Sequence, residues 1–449
     1  MGKHRKSNLY RLLHFWIGTG LGVFWRVEVN GRKNLPWGKP FIVMPNHENA
    51  LVDAVMMITR MRDQPYSIAR AGAFQIPFVA KMLAHIRMFP IYRPQDGISN
   101  MSKNEQIMQD IMDCMKDGQR ILIYPEGDQS MDRRLRRLKK GTFRMAMMAL
   151  NQTDGDLDLH MVPAGIVYED HAKMGRRCIV NFGEPINARE IWEENDRHEA
   201  RTIKKLIAVM HDRMRLHMMD IPSNDYNETI DHLREMYVPE ALSKAKISPK
   251  NYTERWGYDQ AFANTFVAQE GERKEEFDQL KGKLKKFEEA VAGMKLRQGV
   301  FSRKTWPVSE LLAELLLFII ALPMFLIGFT INIIPYKFGQ WATHKVFKSK
   351  NFEGTGLFFF GLLGHTVWWT IWALIIGIAG VWWMGLYFYP FALITGYFAF
   401  LYSQRFRKWW AKWRFRFYRV RNEERVDELV RTRAEIIAVA ETVWTPESR

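Results

Sequence analysis

A histidine is followed six positions later by an aspartate, directly after an apolar run that is typical of a buried strand. Segment 44–53 contains this pair, His47 and Asp53. An imidazole that is held by a carboxylate at the mouth of a sheet can take a proton from a hydroxyl group. Two alternatives stay open: Glu48 is a substitute partner for the imidazole, or Asp53 caps a helix that starts near Ala54. The segment predicts a general base at His47.

A second polar turn follows another apolar run about eighty residues later. Segment 124–127, Tyr-Pro-Glu-Gly, forces a tight turn in which Gly127 lets backbone N–H groups approach a ligand closely. Seven Lys and Arg residues follow between positions 133 and 144. Such a run is either a solvated basic face or a positive field that attracts an anionic ligand.

Two further short segments complete the pattern. Segment 87–93 ends in Arg93, whose planar guanidinium suits bidentate recognition of a phosphate. A salt-bridged surface arginine is the alternative. Segment 162–164, Val-Pro-Ala, lies within an apolar run and carries little information by itself.

In their order and approximate distances, these four segments resemble the motifs of the glycerolipid acyltransferases, the family of glycerol-3-phosphate and lysophosphatidic-acid acyltransferases. The resemblance covers roughly residues 9–220. It implies that His47 removes the proton of an acceptor hydroxyl as that hydroxyl attacks an acyl thioester. It also implies that Asp53 orients the imidazole and stabilises its charge.

The resemblance implies further site residues. The substrate-binding positions that it implies are Asn46, Arg93, Glu126, Gly127 and Lys140. It places Pro163 in the wall of the acyl pocket, and backbone N–H groups are the expected oxyanion donors. It implies no metal and no cofactor, with acyl-CoA or acyl-carrier protein as the donor substrate.

The sequence departs from the family pattern in three places. The family has four residues between the histidine and the aspartate, whereas five separate His47 from Asp53. One residue turns a helical side chain by roughly 100°, so the pair forms only if an irregular turn after His47 absorbs the extra residue. Arg87 replaces a glycine of the second motif, and Asp128 and Gln129 replace a threonine and an arginine of the third.

Composition favours a membrane surface over nucleic acid as the binding partner. The chain has 449 residues and a net charge of +16, which suits either kind of anionic surface. Sixteen Trp and 29 Phe, concentrated after residue 300, indicate contact with lipid. Cys114 and Cys178 offer neither a disulfide framework nor metal-ligand spacing, so a reducing compartment is expected.

Short β-rich runs alternate with amphipathic helices between residues 26 and 220, which predicts an α/β domain with a central, mostly parallel or mixed sheet. The resemblance implies that this is the acyltransferase domain. The predicted strands are 25–30, 41–46, 66–69, 88–93, 120–124, 160–168 and 177–182. The predicted helices are 50–61, 77–85, 103–116, 141–150 and 198–219. The site is expected at the ends of the strands.

The remaining segments predict a helical linker and a membrane domain. Residues 1–25 predict an interfacial helix, with packing on the domain core as the alternative. Residues 221–306 are charged and predict a helical linker. Residues 307–404 predict membrane-embedded helices, comprising a segment at 308–336 and a spanning pair at 355–404. Residues 405–449 predict a basic, aromatic tail helix that anchors at an anionic leaflet, with nucleic-acid binding as the alternative.

The positive-inside rule sets the expected topology. The basic segments 337–350 and 405–421 both prefer the cytoplasmic face, which requires an even number of crossings between them. A kinked re-entrant hairpin around Pro323 for segment 308–336 satisfies this rule better than a simple span. The protein is therefore expected in a membrane, the inner or cell membrane if it is bacterial, with its catalytic domain on the cytoplasmic face.

Together these patterns predict an O-acyltransferase that moves a fatty acyl group from acyl-CoA or acyl-carrier protein to glycerol-3-phosphate, lysophosphatidic acid or a related lysolipid. Membrane lipids are the expected surroundings, and no nucleic-acid partner is expected. Two rivals stay open. One is a catalytically silent lipid-binding protein, and the other is a remodelling hydrolase, although the sequence contains no Gly-x-Ser-x-Gly elbow to support it.

Overall fold

The computed structural model describes residues 8–75, 77–92, 102–379 and 382–448. The chain divides into two compact units. The first unit consists of residues 1–220 together with the distant segment 347–358. The second unit consists of residues 221–346 and 359–449.

The first unit is built on a mixed sheet. Its strands are β1 Trp25–Asn30, β2 Phe41–Met44, β3 Tyr66–Arg70, β4 Met88–Ile91, β5 Arg120–Leu122, β6 His160–Tyr168, β7 Arg176–Phe182 and β8 Ile186–Asn187. Their order is β1-β7-β6-β2-β5-β3-β4, and β8 pairs with β6. Strand β6 runs antiparallel to β7 and β8, whereas the other pairs are parallel. Strand β2 lies between β6 and β5, so the residues after β2 emerge at the centre of the sheet edge.

Helices cover this sheet. They are α1 Asn8–Phe24, α2 Ala50–Arg60, α3 Pro77–His85, α4 Lys103–Lys116, α5 Lys140–Gln152, α6 Ala188–Glu194 and α7 Glu199–Arg215. All nine residues of β6 are buried, as a strand covered on both faces must be. The predicted fold class is confirmed. The short elements β8 and α6 were not predicted, because two strand residues and two helical turns show too little periodicity.

Helix α1 packs on the domain core, and its interfacial role stays a prediction. It packs against α2, where Gly18 meets Thr59, and its Leu21 is buried. Leu12 and Phe15 are exposed on the same helix. One side therefore belongs to the domain core, and the other presents apolar side chains.

The segment 221–306, predicted as a charged helical linker, is helical and packs within the second unit. Helices α8 Asn227–Lys244, α9 Tyr252–Gln269 and α10 Lys274–Gly293 pack with α14 Glu423–Val443. An aromatic core joins them, in which the Phe262 ring packs at a tilt on Phe266 and meets Trp444 edge-to-face. Most charged residues of α10 lie on its exposed face, whereas Arg234 of α8 and Asp259 of α9 are buried and form an ion pair at 3.2 Å. Composition alone does not separate exposed charges from buried pairs.

Three helices among the described residues are long and apolar enough to cross a membrane. They are α11 Val308–Val346, α12 Glu353–Ile378 and α13 Trp382–Arg421. Helix α11 runs without interruption through Pro323 for 39 residues, so the re-entrant hairpin prediction was wrong. A proline removes one backbone donor, and neighbouring helices in an apolar bundle can accommodate the resulting defect.

Helices α11 and α13 pack antiparallel. Trp409 donates to the carbonyl of Leu311 near one end, and Asn332 donates to the carbonyl of Ala392 further along. This pairing places the basic residues 405–421 beside the N-terminal end of α11, whereas the lysines of 337–350 lie at its C-terminal end. The two basic segments therefore lie at opposite ends of α11, whereas the expected hairpin would have placed them on one face.

Candidate active site

His47 stands at the end of β2 with its ring held on two sides. Its Nδ1 lies 2.9 Å from Oδ2 of Asp53, and its ring stacks on Tyr124 at a centroid distance of 4.1 Å. The side chain of His47 is 20% exposed, whereas Asp53 is fully buried. The Nε2 atom therefore faces away from the carboxylate. The structure thus brings the predicted pair together.

An irregular turn, as the spacing required, makes this pairing possible. We call residues 45–52 the His47 turn. Helix α2 begins at Ala50, whose φ of 45° lies in the left-handed region. Oδ2 of Asp53 also accepts hydrogen bonds from the backbone N–H groups of Glu48 at 2.8 Å and Asn49 at 2.7 Å. Asp53 therefore stabilises the start of the helix and holds the imidazole at the same time.

Tyr168 is the remaining partner of Asp53. Its hydroxyl donates to Oδ1 of Asp53 at 2.7 Å from the buried end of β6. Burial, together with the charge of Asp53, raises the pKa of Tyr168 well above its usual value. The phenol therefore stays protonated and remains a donor.

Glu48 pairs with a second histidine and not with His47. Its Oε2 lies 2.8 Å from Nε2 of His171, and its Oε1 accepts from the amide of Asn46 at 2.9 Å. Asn46 also exchanges two hydrogen bonds with the backbone of Ile166 in β6. The Asn46 side chain is buried and bonded to protein groups, so in this structure it fixes the His47 turn to the sheet.

The buried carboxylate of Glu126 also stabilises the His47 turn by hydrogen bonds. One carboxylate oxygen accepts from the backbone N–H of His47 at 3.0 Å, and the other accepts from Nε of Arg136 at 2.7 Å. Arg136 also donates to the carbonyls of His47 and Asp128. Burial raises the pKa of Glu126, and the guanidinium of Arg136 opposes that rise.

The other predicted positions are distributed around this centre. Gly127 has a φ of 70°, and its N–H donates to the carbonyl of Tyr124 at 3.1 Å. Lys140 is exposed at the first residue of α5. Pro163 is buried in β6 beside Met44 of β2. Arg93 lies outside the described residues. The binding roles of these residues stay predictions.

Sequence reasoning missed several residues of the site. Tyr168 and His171 stand near the end of an apolar strand with no local motif, and only the sheet order brings them to His47. Arg136 was visible as one member of the basic run but was not distinguished from its neighbours. Arg70, at the end of β3, forms an ion pair with Asp128 and adds a cation beside the Tyr-Pro-Glu-Gly turn.

Known proteins similar to this chain match only part of it. Residues 26–167 match the family model described as "Acyltransferase". The chloroplastic 1-acyl-sn-glycerol-3-phosphate acyltransferase LPAT1 of Arabidopsis thaliana is 25% identical over 146 residues, which are 32% of this chain and 38% of that protein. The 1-acyl-sn-glycerol-3-phosphate acyltransferase alpha of Mus musculus is 30% identical over 131 residues, which are 28% of this chain and 42% of that protein.

A solved structure gives a similar match. The 1-acyl-sn-glycerophosphate acyltransferase PlsC of Thermotoga maritima aligns with a TM-score of 0.32 and 19% identity, over 46% of this chain and 84% of that chain. The chain spans about two fifths of the length of the curated relatives it matches first. On the family model and these relatives, residues 26–167 are an acyltransferase domain, and this domain is similar to the 1-acyl-sn-glycerol-3-phosphate acyltransferases.

Proposed function

We propose that the protein transfers a fatty acyl group from a thioester to a hydroxyl group of a lysolipid. The observation that carries this proposal is the His47–Asp53 pair, in which Nδ1 is held at 2.9 Å by a buried carboxylate while the ring keeps a solvent-exposed edge. This is the arrangement that general-base catalysis on an alcohol requires.

The proton follows a short route in this mechanism. Nε2 of His47 removes the proton of the acceptor hydroxyl as its oxygen attacks the thioester carbonyl. Asp53 stabilises the resulting imidazolium, and Tyr168 keeps the carboxylate in place. When the tetrahedral intermediate collapses, the C–S bond breaks and the imidazolium returns the proton to the thiolate. The products are an ester and a free thiol, and we propose that no metal or cofactor takes part.

We propose 1-acylglycerol-3-phosphate as the acceptor. The similar proteins are named as acyltransferases of that substrate, and the matching family model spans both the His47 turn and the Tyr-Pro-Glu-Gly segment. Arg70 and Lys140 are exposed basic side chains of the same unit that suit its phosphate. Glycerol-3-phosphate and other lysolipids are the alternative acceptors, and acyl-CoA and acyl-carrier protein are the alternative donors.

We further propose that this is a membrane protein whose first unit faces the cytoplasm. Three long apolar helices support the membrane assignment. Cys114 and Cys178 are unpaired, which suits a reducing compartment. A cysteine introduced at exposed Glu194 tests the orientation. It should resist a membrane-impermeant thiol reagent in intact cells and react after lysis.

The decisive experiment measures acylation by purified protein carrying His47→Ala. Wild type is assayed with 1-acylglycerol-3-phosphate, other lysolipids and glycerol-3-phosphate, each with acyl-CoA and acyl-carrier-protein donors. Loss of a general base should lower turnover about 10²- to 10⁴-fold. His211→Ala, on the surface of α7, is the matched control and should retain wild-type turnover.

Other outcomes separate the rivals. Folded wild-type protein that acylates none of these acceptors would support a silent lipid-binding protein. Release of free fatty acid from the donor at the same rate with and without acceptor would support a hydrolase, in which the same imidazole activates water. Acylation that survives His47→Ala would reject the proposed base.

A further inference from the structure

A segment about three hundred residues away contacts the His47 turn. Residues 347–358 belong to the first unit, although they precede and begin helix α12. The buried hydroxyl of Thr355 donates to the carbonyl of Asn49 at 3.0 Å. The backbone N–H of Val52 in turn lies 3.4 Å from that hydroxyl oxygen. Thr355 therefore contacts the backbone at both the start and the end of the first turn of α2, at Asn49 and at Val52.

Close packing around Gly354 allows this contact. A Cβ atom at Gly354 would lie 2.2 Å from the carbonyl oxygen of His171 and 2.6 Å from Oδ1 of Asn49. Only glycine lets the backbone approach so near. One turn further along, Phe358 is buried against Trp25, at a centroid distance of 5.8 Å. These contacts fix the position of Thr355 relative to the His47 turn.

Thr355 contacts Asn49, which is one of the residues that hold Asp53 in place. Asn49 donates its backbone N–H to Asp53, its side chain donates to the carbonyl of His171, and its own carbonyl accepts from Thr355. The next residue, Ala50, has the positive φ of 45° that the turn requires. A non-glycine residue in this region persists only where its surroundings hold it.

We propose that Thr355 is a positioning residue for catalysis, which keeps the backbone of Asn49 and the strained Ala50 in the form that pairs Asp53 with His47. This proposal rests on the proposed function, because the consequence of misplacement is read in the acyl transfer. Thr355 touches neither the imidazole nor the carboxylate, so it acts through the backbone of the His47 turn.

The first test is Thr355→Val, which keeps the shape of the side chain and removes its hydroxyl. Small misplacement of a catalytic pair lowers the chemical step steeply, so we expect kcat to fall about 10- to 100-fold with KM within about twofold. Thr355→Ser should retain kcat. Thr366→Val is the matched control in the same helix, where the hydroxyl donates to the carbonyl of Leu362 one turn earlier. It should leave kcat unchanged.

A second variant separates positioning from general damage. Glycine adopts a positive φ without strain, so Ala50→Gly added to Thr355→Val should restore part of the lost kcat. Hydrogen exchange gives a readout that needs no activity: the amides of Glu48 and Asn49 should exchange faster in Thr355→Val than in wild type. Unchanged exchange there, or a Thr355→Val protein with wild-type kcat, would overturn the positioning role. Absence of acylation by wild type would reject the proposed function instead, and the exchange comparison would still decide the role of Thr355.

Discussion

Three buried carboxylates surround His47, and each has a different set of partners. Asp53 accepts from the imidazole, two backbone amides and Tyr168. Glu48 pairs with His171, and Glu126 pairs with Arg136. A buried charge is tolerated only when it is paired and hydrogen-bonded. Because the other two carboxylates are bound elsewhere, Asp53 alone among the three contacts the imidazole.

Arg136→Gln tests this arrangement at the residue scale. The substitution leaves Glu126 buried without its cation, and breaking a buried pair costs about 3–5 kcal/mol of the free energy of unfolding. Since Arg136 is partly exposed, the low end of that range is expected. Arg137→Gln, at the exposed neighbouring position, is the control and should change the free energy of unfolding by less than about 0.5 kcal/mol. Denaturant titration measures both.

In Arg136→Gln the free energy of unfolding should also depend on pH more strongly than in wild type, with a sign that can be worked out. Burial already raises the pKa of Glu126, and loss of Arg136 removes the opposing influence. A carboxyl whose pKa is raised by folding contributes stability below its unfolded pKa, and that stability is lost as pH rises through the folded pKa. Relative to wild type, Arg136→Gln should therefore lose more stability at pH 8 than at pH 5. A difference that is the same at both pH values would contradict this account.

At the element scale, the sequence predicted the features that depend on neighbouring residues, such as the bounds of strands and helices. Strand β6 and helix α4 begin and end where the apolar pattern placed them, because each is long enough to show its period. The His47–Asp53 pair was predictable since both residues lie in one short segment. Thr355 and Tyr168 were not, because 306 and 115 residues separate them from their partners in the site. Contacts of that range depend on the fold and leave no periodic signal.

The packing of α11 against α13 gives a prediction at the same scale. A Cβ atom at Gly328 would lie 2.0 Å from the carbonyl oxygen of Thr395, so Gly328→Ala must push the two helices apart. Overpacking of this kind costs about 1–3 kcal/mol, and the thermal unfolding midpoint in detergent should fall. Gly361→Ala is the matched control, since a Cβ there meets nothing within 4 Å. Helix propensity favours alanine over glycine at both positions, so an equal fall for both variants would contradict close packing at Gly328 as the cause.

At the scale of the whole molecule, the first unit is discontinuous in sequence. Residues 1–220 correspond to the domain that sequence patterns suggest, yet the unit also needs 347–358. That segment supplies the Thr355 hydroxyl, which donates to the carbonyl of Asn49, and the buried ring of Phe358. The chain that follows the acyltransferase domain therefore contributes to the site itself. The family match, which spans residues 26–167, does not reveal this contribution.

A shortened chain of residues 1–220 should therefore be less stable and less active than the full chain, even in detergent where membrane attachment is irrelevant. Removing a buried phenylalanine alone costs about 3–5 kcal/mol. Adding residues 347–358 through a flexible linker of about 20 Gly and Ser residues, with a mean reach of roughly 25 Å, should restore both the unfolding midpoint and kcat. The same addition carrying Thr355→Val should restore the midpoint more than kcat, because Phe358 still packs while the His47 turn is not held. If the chain of 1–220 already has the stability and turnover of the full protein, the distant segment is dispensable.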